Sequence, residues 1–158
     1  MYRAMSLDMD RRGGSAAVFE ETRERQEQRY AEMADRVRND ELSTAEDYFY
    51  AGAVLVRSSK IEHLLLAESS GRRAAILGDA RGRPVAAESV DRQAMIEGNP
   101  QIYGTQYVYS PLTGNWLLYL YDPATTDSER AAVGLPSLAW FQDRVRQLNG
   151  SKESKNLR

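Results

Sequence analysis

The sequence predicts a mainly α-helical protein, an antiparallel helical bundle or helical-hairpin array that carries one C-terminal β-hairpin (α+β). Long stretches are rich in Glu, Arg, Gln, Met and Ala, and their apolar residues recur at helical spacing, which predicts the helices. The spacing of the apolar residues then changes after about residue 100. Aromatic and aliphatic runs at 103–109 and 115–121 flank the turn sequence PLTGN, so we expect a hairpin at about 103–121.

The first two predicted helices differ in the apolar surface they carry. Residues 15–38 contain no Gly or Pro, but their apolar stripe is confined to 30–37, so we expect only the second half to dock. The next helix begins at Ser43 or Thr44, where STAED combines an N-cap with acidic residues in the first turn. It runs to about Arg57. Its many aromatic and aliphatic residues predict a central position.

Two further helices follow after short connections. Residues 61–78 form the third, in which Gly71 weakens the helix without ending it. The glycines of 78–84 predict a turn, and Pro84 suits the first position of the next helix. Gly98 is its expected C-terminal stop.

The C-terminal part combines the hairpin with a short and a long helix. We expect Asp127 to cap a short helical turn and 137–148 to form the last helix. Large aromatic residues alternate with aliphatic ones along the hairpin, so that cross-strand stacking or an exposed recognition face could result. These are Tyr107, Tyr109, Trp116, Tyr119 and Tyr121.

The composition narrows the classes of function. The 158 residues include 21 Lys or Arg and 23 Asp or Glu, which gives a formal net charge of −2. Nucleic-acid-binding domains are normally basic or carry a dense Lys/Arg stripe, so we expect no nucleic-acid partner. The absence of cysteine excludes a disulfide, a thiolate nucleophile and a zinc ribbon, and His63 is the single histidine. We therefore expect neither a metal ion nor a cofactor.

The expected location is the cytoplasm. No apolar run approaches the roughly 20 residues needed to cross a bilayer, and the N-terminus lacks the apolar region of a signal peptide. We expect no membrane partner, and the oligomeric state stays open. A flexible N-terminus at 1–14, a single helical domain at 15–148 and a disordered tail at 149–158 are the predicted organisation.

The chain lacks the standard motifs of several enzyme classes. GxxxxGK[ST], GxGxxG, HExxH and GxSxG are all absent, which argues against phosphate-loop, dinucleotide-binding, zincin and α/β-hydrolase chemistry. No neighbouring feature orients His63 for catalysis, so we expect it to have a structural or surface role.

The densest group of chemically capable side chains lies at 90–106, where the fourth helix gives way to the hairpin. One interpretation is a pocket in which Asp91 is the acid or base and Tyr103 assists it, while other polar residues orient a small polar molecule. A buried polar network that holds the hairpin on the helices would need the same residues, and a protein-partner surface is a third interpretation. The residues that would bind the substrate here are Arg92, Gln101, Thr105 and Gln106.

The segment VDRQAMIEGNPQIYGTQ resembles an uncharacterised bacterial family whose members read DRxxxxxGxPQxYGTQ. The resemblance covers roughly 40–138, and it includes ELSTAEDYFYAGAV upstream and DPATTDSERAAVGLPSL downstream. The family often carries three histidines in its helices, and the aligned positions hold Tyr50, Arg57 and Glu68 here. The resemblance therefore implies that these three residues belong to the substrate-binding region and that the activity of the relatives is either lost or altered in this chain.

Three functions of different classes follow from these observations. The first is a cytoplasmic domain that binds a small polar molecule or a peptide at the junction between helices and hairpin. The second is a metal-independent acid/base enzyme of the lyase, cyclase or hydrolase type in a specialised biosynthetic pathway. The third is a structural protein-interaction module.

Overall fold

The computed structural model describes residues 16–153, and the described chain is mainly α-helical with one antiparallel hairpin, as predicted. The expected flexible segment 1–14 lies outside the described residues. The elements are α1 (Ala16–Arg38), α2 (Ala45–Leu55), α3 (Ile61–Ile76), α4 (Gly82–Glu97), β1 (Tyr107–Ser110), β2 (Asn115–Leu118), α5 (Asp127–Ala132) and α6 (Leu138–Glu153).

Helix α2 is central, because it packs against α1, α3 and α4. Its apolar side chains meet those of its neighbours in a core built around Ala34, Leu55, Val56, Ala67 and Val85. The second half of α1 packs onto this core, as its stripe predicts. Burial of this apolar surface is the main favourable term for the helical part of the fold.

Helices α3 and α4 approach each other so closely that glycine is required at the crossing. A Cβ atom on Gly71 would lie 2.7 Å from the carbonyl oxygen of Gly82, and a Cβ atom on Gly82 would lie 2.2 Å from that of Gly71. Gly52 of α2 fits in the same way against Val85 and the backbone of α3. Gly71 thus serves close packing, at the cost of some helix propensity.

The helix starts confirm one predicted cap and correct another. Thr44 caps α2, and its reciprocal partner in the capping box is Asp47. The prediction that Asp127 caps α5 is wrong, because Thr126 has the extended backbone of a cap and forms the box with Glu129. Asp127 is the first helical residue, and it accepts hydrogen bonds from Arg130 and from the backbone of α6. Helix α4 likewise starts at Gly82, two residues before Pro84.

The hairpin is shorter than its sequence pattern suggests. Strand β1 pairs with β2 in antiparallel register, with Tyr109 opposite Trp116. The two rings lie 5.6 Å apart between centroids, so cross-strand stacking occurs at this pair. Residues 103–106 are not part of the strand. The N–H groups of Tyr103, Thr105 and Gln106 instead donate to side chains outside the hairpin strands.

The last helix extends past the predicted domain end at residue 148 and reaches Glu153, so a tail beginning at 149 starts too early. In this last part of the helix, the side chain of Asn149 accepts a hydrogen bond from the Trp116 N–H at 2.8 Å and donates one to the Trp116 carbonyl at 2.9 Å. The end of α6 is therefore tied to β2. None of the described helices combines the length and apolar character that a membrane crossing requires.

Replacing Gly71 by alanine tests the close approach of α3 and α4. Alanine gains about 1 kcal/mol of helix propensity, but its Cβ meets backbone atoms that cannot move independently. We expect a net loss of about 2 kcal/mol in the free energy of unfolding, measured by urea denaturation. Gly150→Ala is the control, because nothing lies within 4 Å of its Cβ position in α6, and it should stabilise slightly. Equal effects of the two substitutions would contradict the packing argument.

Candidate functional site

A single carboxylate holds the segment between α4 and the hairpin. Asp91 of α4 has an exposed fraction of 0%. Its Oδ1 accepts hydrogen bonds from the N–H groups of Ile102 and Tyr103 at 2.7 and 2.9 Å. Its Oδ2 accepts two more from Thr105, from the N–H at 2.9 Å and from the hydroxyl at 2.8 Å. The carboxylate therefore replaces the strand partners that 102–105 would otherwise need.

Gln101 closes the base of the hairpin with its side-chain amide. Its Nε2 donates to the carbonyl oxygens of Gln106 and Tyr119 at 3.0 and 3.1 Å, and its Oε1 accepts from the Gln106 N–H at 2.7 Å. Its backbone bonds Leu120 and Asp122 across the same gap. This buried side chain thus bridges the two arms where the regular ladder has ended.

Arg130 of α5 holds the same segment from the opposite side. Its Nε donates to the Tyr103 carbonyl at 2.7 Å, and its Nη1 donates to the Thr125 carbonyl at 2.8 Å and to Asp127 at 3.1 Å. The side chain is only 1% exposed. Tyr103 is therefore clamped at its N–H by a carboxylate and at its carbonyl by a guanidinium.

The positive φ of Gly104, 84°, lets the backbone turn between these two clamps. A Cβ atom there would also lie 3.2 Å from the Leu138 side chain. Glycine between Tyr103 and Thr105 is thus favoured by its backbone conformation, and a larger residue would also crowd Leu138.

Gln106 connects this segment to a second acidic residue, Glu88. The Gln106 Nε2 donates to the Thr105 hydroxyl at 3.0 Å, and the Gln106 side chain contributes weakly to lowering the pKa of the nearby Glu88 carboxyl. Arg92, one helical turn after Glu88, donates to the carbonyl oxygens of Ser58 and Arg57 at 3.0 and 3.2 Å. We call Glu88, Arg92, Gln106 and Arg57 the Glu88 group.

The electrostatics of the Glu88 group are dominated by burial. Burial raises the pKa of the Glu88 carboxyl, and the positive charges of Arg92 and Arg57 offset this only in part. Burial also lowers the pKa of Arg92, against the favourable field of Glu88. A half-buried carboxyl thus lies beside an amide and two guanidinium groups, in surroundings that disfavour its charged form.

The structure brings some of the predicted site residues together and separates others. Arg92, Gln106 and Arg57 belong to the Glu88 group, while Asp91, Gln101 and Thr105 form the buried hydrogen-bond network beside it. Tyr103 lines a cleft between α3, α4 and α5.

Tyr50 and Glu68 lie away from the Glu88 group. Tyr50 is 52% exposed, and the centroid of its ring lies 5.3 Å from the centroid of the Phe49 ring. Glu68 accepts hydrogen bonds from Arg72 at 2.8 Å and from Gln93 at 3.2 Å on the outer side of α3 and α4. None of these contacts of Tyr50 and Glu68 reaches residues 102–105, the segment that Asp91 holds.

Sequence reasoning missed Glu88 and Arg130. A usable signal for Glu88 was its i, i+4 spacing from Arg92, which places both side chains on one face of α4. Arg130 lies in the D-x-x-R pattern of the segment DPATTDSERAAVGLPSL, so its position was visible although its role was not. Their surroundings depend on residues distant in sequence, since Arg57 and Gln106 lie near Glu88 and the Tyr103 carbonyl accepts from Arg130.

The single histidine has a structural environment. His63 is 2% exposed, and its Nδ1 lies 2.9 Å from the Ser58 hydroxyl. That hydroxyl also accepts a hydrogen bond from the Lys60 N–H at 3.2 Å, so it joins the imidazole to the backbone at the start of α3. The ring of Tyr30 packs edge-on at 6.3 Å. Ser58 and His63 thus fasten the α2–α3 turn.

No known protein family, curated protein or solved structure matches this chain. Membership of the DRxxxxxGxPQxYGTQ family therefore stays a prediction. Among residues 16–153, no set of three or more His, Asp or Glu side chains is arranged to hold a metal ion.

Replacing Asp91 by asparagine should destabilise the protein by about 3 kcal/mol, because an amide nitrogen would face N–H donors and the charge of the acceptor would be lost. Urea denaturation measures this, and faster amide hydrogen exchange of Ile102, Tyr103 and Thr105 should accompany it. Asp35→Asn, on exposed α1, is the control and should change stability by less than about 0.5 kcal/mol. A change within about 1 kcal/mol at Asp91, together with loss of turnover, would instead favour direct catalysis by this carboxylate.

The pH dependence of stability should reveal His63. Burial, reinforced by the charge of Lys60, lowers the pKa of His63 in the folded protein. As pH falls below about 6.5, the unfolded state therefore binds a proton first, and stability present at higher pH is lost. Urea midpoints measured from pH 8 to 5 should decline more steeply for the wild type than for His63→Gln. Parallel pH profiles of the two proteins would show that His63 does not control this decline.

Proposed function

We propose that the protein binds a small polar molecule at the junction of helices and hairpin, with the Glu88 group as the binding site. The observation that carries this proposal is the position of the Glu88 carboxyl, which is half-buried near the Gln106 amide, Arg57 and Arg92, while Arg92 directs two donors to backbone carbonyls. Carboxyls in surroundings that disfavour their charge are frequent at functional sites.

The chemistry of the Glu88 group favours a ligand with two different ends. Arg57 is exposed and Arg92 is half-buried, so the group offers two positive charges against one carboxyl. An acidic group on the ligand would be attracted to the arginines, and a neighbouring hydroxyl or amide would hydrogen-bond Glu88 and Gln106. A peptide could offer the same groups through its carboxylate and its amides.

A metal-independent acid/base enzyme is the second candidate, and the raised pKa of Glu88 favours it. A carboxyl that stays protonated closer to neutral pH is a better proton donor, and the adjacent arginines could orient an anionic substrate. In this alternative Glu88 transfers the proton, whereas the sequence pattern predicts this role for Asp91 and Tyr103. Four hydrogen bonds to the Asp91 carboxylate favour a positioning role for that residue.

We also propose that the chain belongs to the DRxxxxxGxPQxYGTQ family and works in the cytoplasm. Support for the family comes from the structural tasks of its motif residues, since Asp91, Gln101, Gly104 and Thr105 jointly shape one segment. Arg57, which replaces a family histidine, lies beside Glu88 in the proposed binding site. This position suits a chemistry that differs from that of the relatives.

Glu88→Gln should stabilise the protein and abolish ligand binding. Because the folded pKa of Glu88 is raised, the stability contributed by its protonated form is present at low pH and lost as pH rises through that pKa. Glutamine cannot ionise, so the variant should have the higher urea midpoint at pH 8, and the difference should shrink toward pH 4. Glu24→Gln on exposed α1 is the control.

Binding is tested by incubating the wild type and both variants with small-molecule extract from the source cells, followed by native mass spectrometry. Stoichiometric retention of one compound by the wild type and Glu24→Gln, but not by Glu88→Gln, is the expected result. Consumption of a compound in molar excess would favour the enzyme. Retention unaffected by Glu88→Gln would contradict the proposed site, and no change at all would favour a protein partner.

A further inference from the structure

Helix α4 borders a second concave region on the side opposite to the Glu88 group. Glu88 and Arg92 lie on one face of the helix, whereas Arg83, Ala86, Ala87 and Val90 recur at helical spacing on the other. This second face forms the floor of a cleft of about 340 Å³ between α3, α4 and α5. The volume is within the range of small-molecule sites.

The walls of the cleft are mostly aliphatic. Seven of its ten lining residues are apolar, namely Ile76, Val90 and Val133 with four alanines. The alanines leave space where larger side chains would fill the groove between α3 and α4. Ile76 is 75% exposed at its edge, so an apolar ligand there would remove hydrophobic surface from water.

Polar groups reach this cleft from three residues. Arg72 is already paired with Glu68 through two short hydrogen bonds, so its charge is locally neutralised. Arg83 is exposed, and its guanidinium has no hydrogen bond or ion pair with any residue of the described chain. Tyr103 contributes its ring and hydroxyl, and its backbone is held rigidly by Asp91 and Arg130. One uncompensated positive charge thus lies beside an apolar groove.

We propose that this cleft is a second binding site, for a small amphipathic monoanion whose aliphatic chain lies along α3 and α4. Its acidic head pairs with Arg83, and the Tyr103 hydroxyl can donate to the same head. The lining residues contain two arginines and no acid, which excludes a cationic head. The single free guanidinium favours one negative charge over several. The site does not depend on the Glu88 group, which faces the opposite side of α4.

Titration of the full chain with sodium octanoate, followed by two-dimensional NMR, tests this site. Saturable shifts of Tyr103, Val90 and Val133 are expected, whereas 1-octanol should bind more weakly because it lacks the charge. Arg83→Gln should weaken octanoate binding about tenfold and leave octanol unaffected. Arg29→Gln, an exposed arginine on α1, is the matched control and should bind octanoate like the wild type.

A blocking variant separates occupation of the cleft from nonspecific adsorption. Ala132 is exposed on α5, so tryptophan there can fill the cleft without entering the core, and Ala132→Trp should abolish the binding of both probes. Glu88→Gln should bind octanoate normally, which keeps this test independent of the first site. Absence of saturable octanoate binding, equal affinity for octanol, or an octanoate affinity that Arg83→Gln leaves unchanged would each overturn the proposal.

Discussion

The buried carboxylate of Asp91 determines the shape of the segment that joins the helices to the hairpin. Four donors from Ile102, Tyr103 and Thr105 converge on it, so residues 102–105 are held without any strand partner. Arg130 holds the outer side of the same segment through the Tyr103 carbonyl. Two opposite charges, each buried and hydrogen-bonded to backbone groups of this segment, thereby fix its course between α4 and α5.

Helix α4 connects several parts of the structure, because each of its faces contacts a different neighbour. Val85 packs into the core against Gly52 of α2, and Asp91 faces the loop. Glu88 and Arg92 face the polar surface near Gln106, while Arg83 and the alanines border the apolar cleft. The close crossing of α3 and α4 at glycine keeps this helix in place. Rigid placement of one helix can therefore support two chemically different surfaces.

Local sequence signals predicted the helices well, and the places where they failed share a cause. The apolar stripe of α1 and the capping box at Thr44 depend on residues within one or two turns, so they could be recognised directly. The strand pattern at 103–106 was overridden because Asp91 accepts from the N–H groups of Tyr103 and Thr105, while the Gln101 side chain accepts from that of Gln106. The contact of Asn149 in α6 with Trp116 likewise spans 33 residues.

For the candidate site, too, some features follow from local sequence and others only from the tertiary structure. Sequence alone determined which helices form, where the hairpin turns, and that 90–106 concentrates the polar residues, because propensity, capping and alternation act between near neighbours. Only the tertiary structure decided that Asp91 faces backbone, that Arg57 and Arg92 meet Glu88, and that Tyr50 and Glu68 lie elsewhere. These outcomes depend on burial and on partners brought together from distant segments. Helix propensity acts within a short segment. Burial from solvent and long-range hydrogen bonds, in contrast, are set only when distant segments pack together.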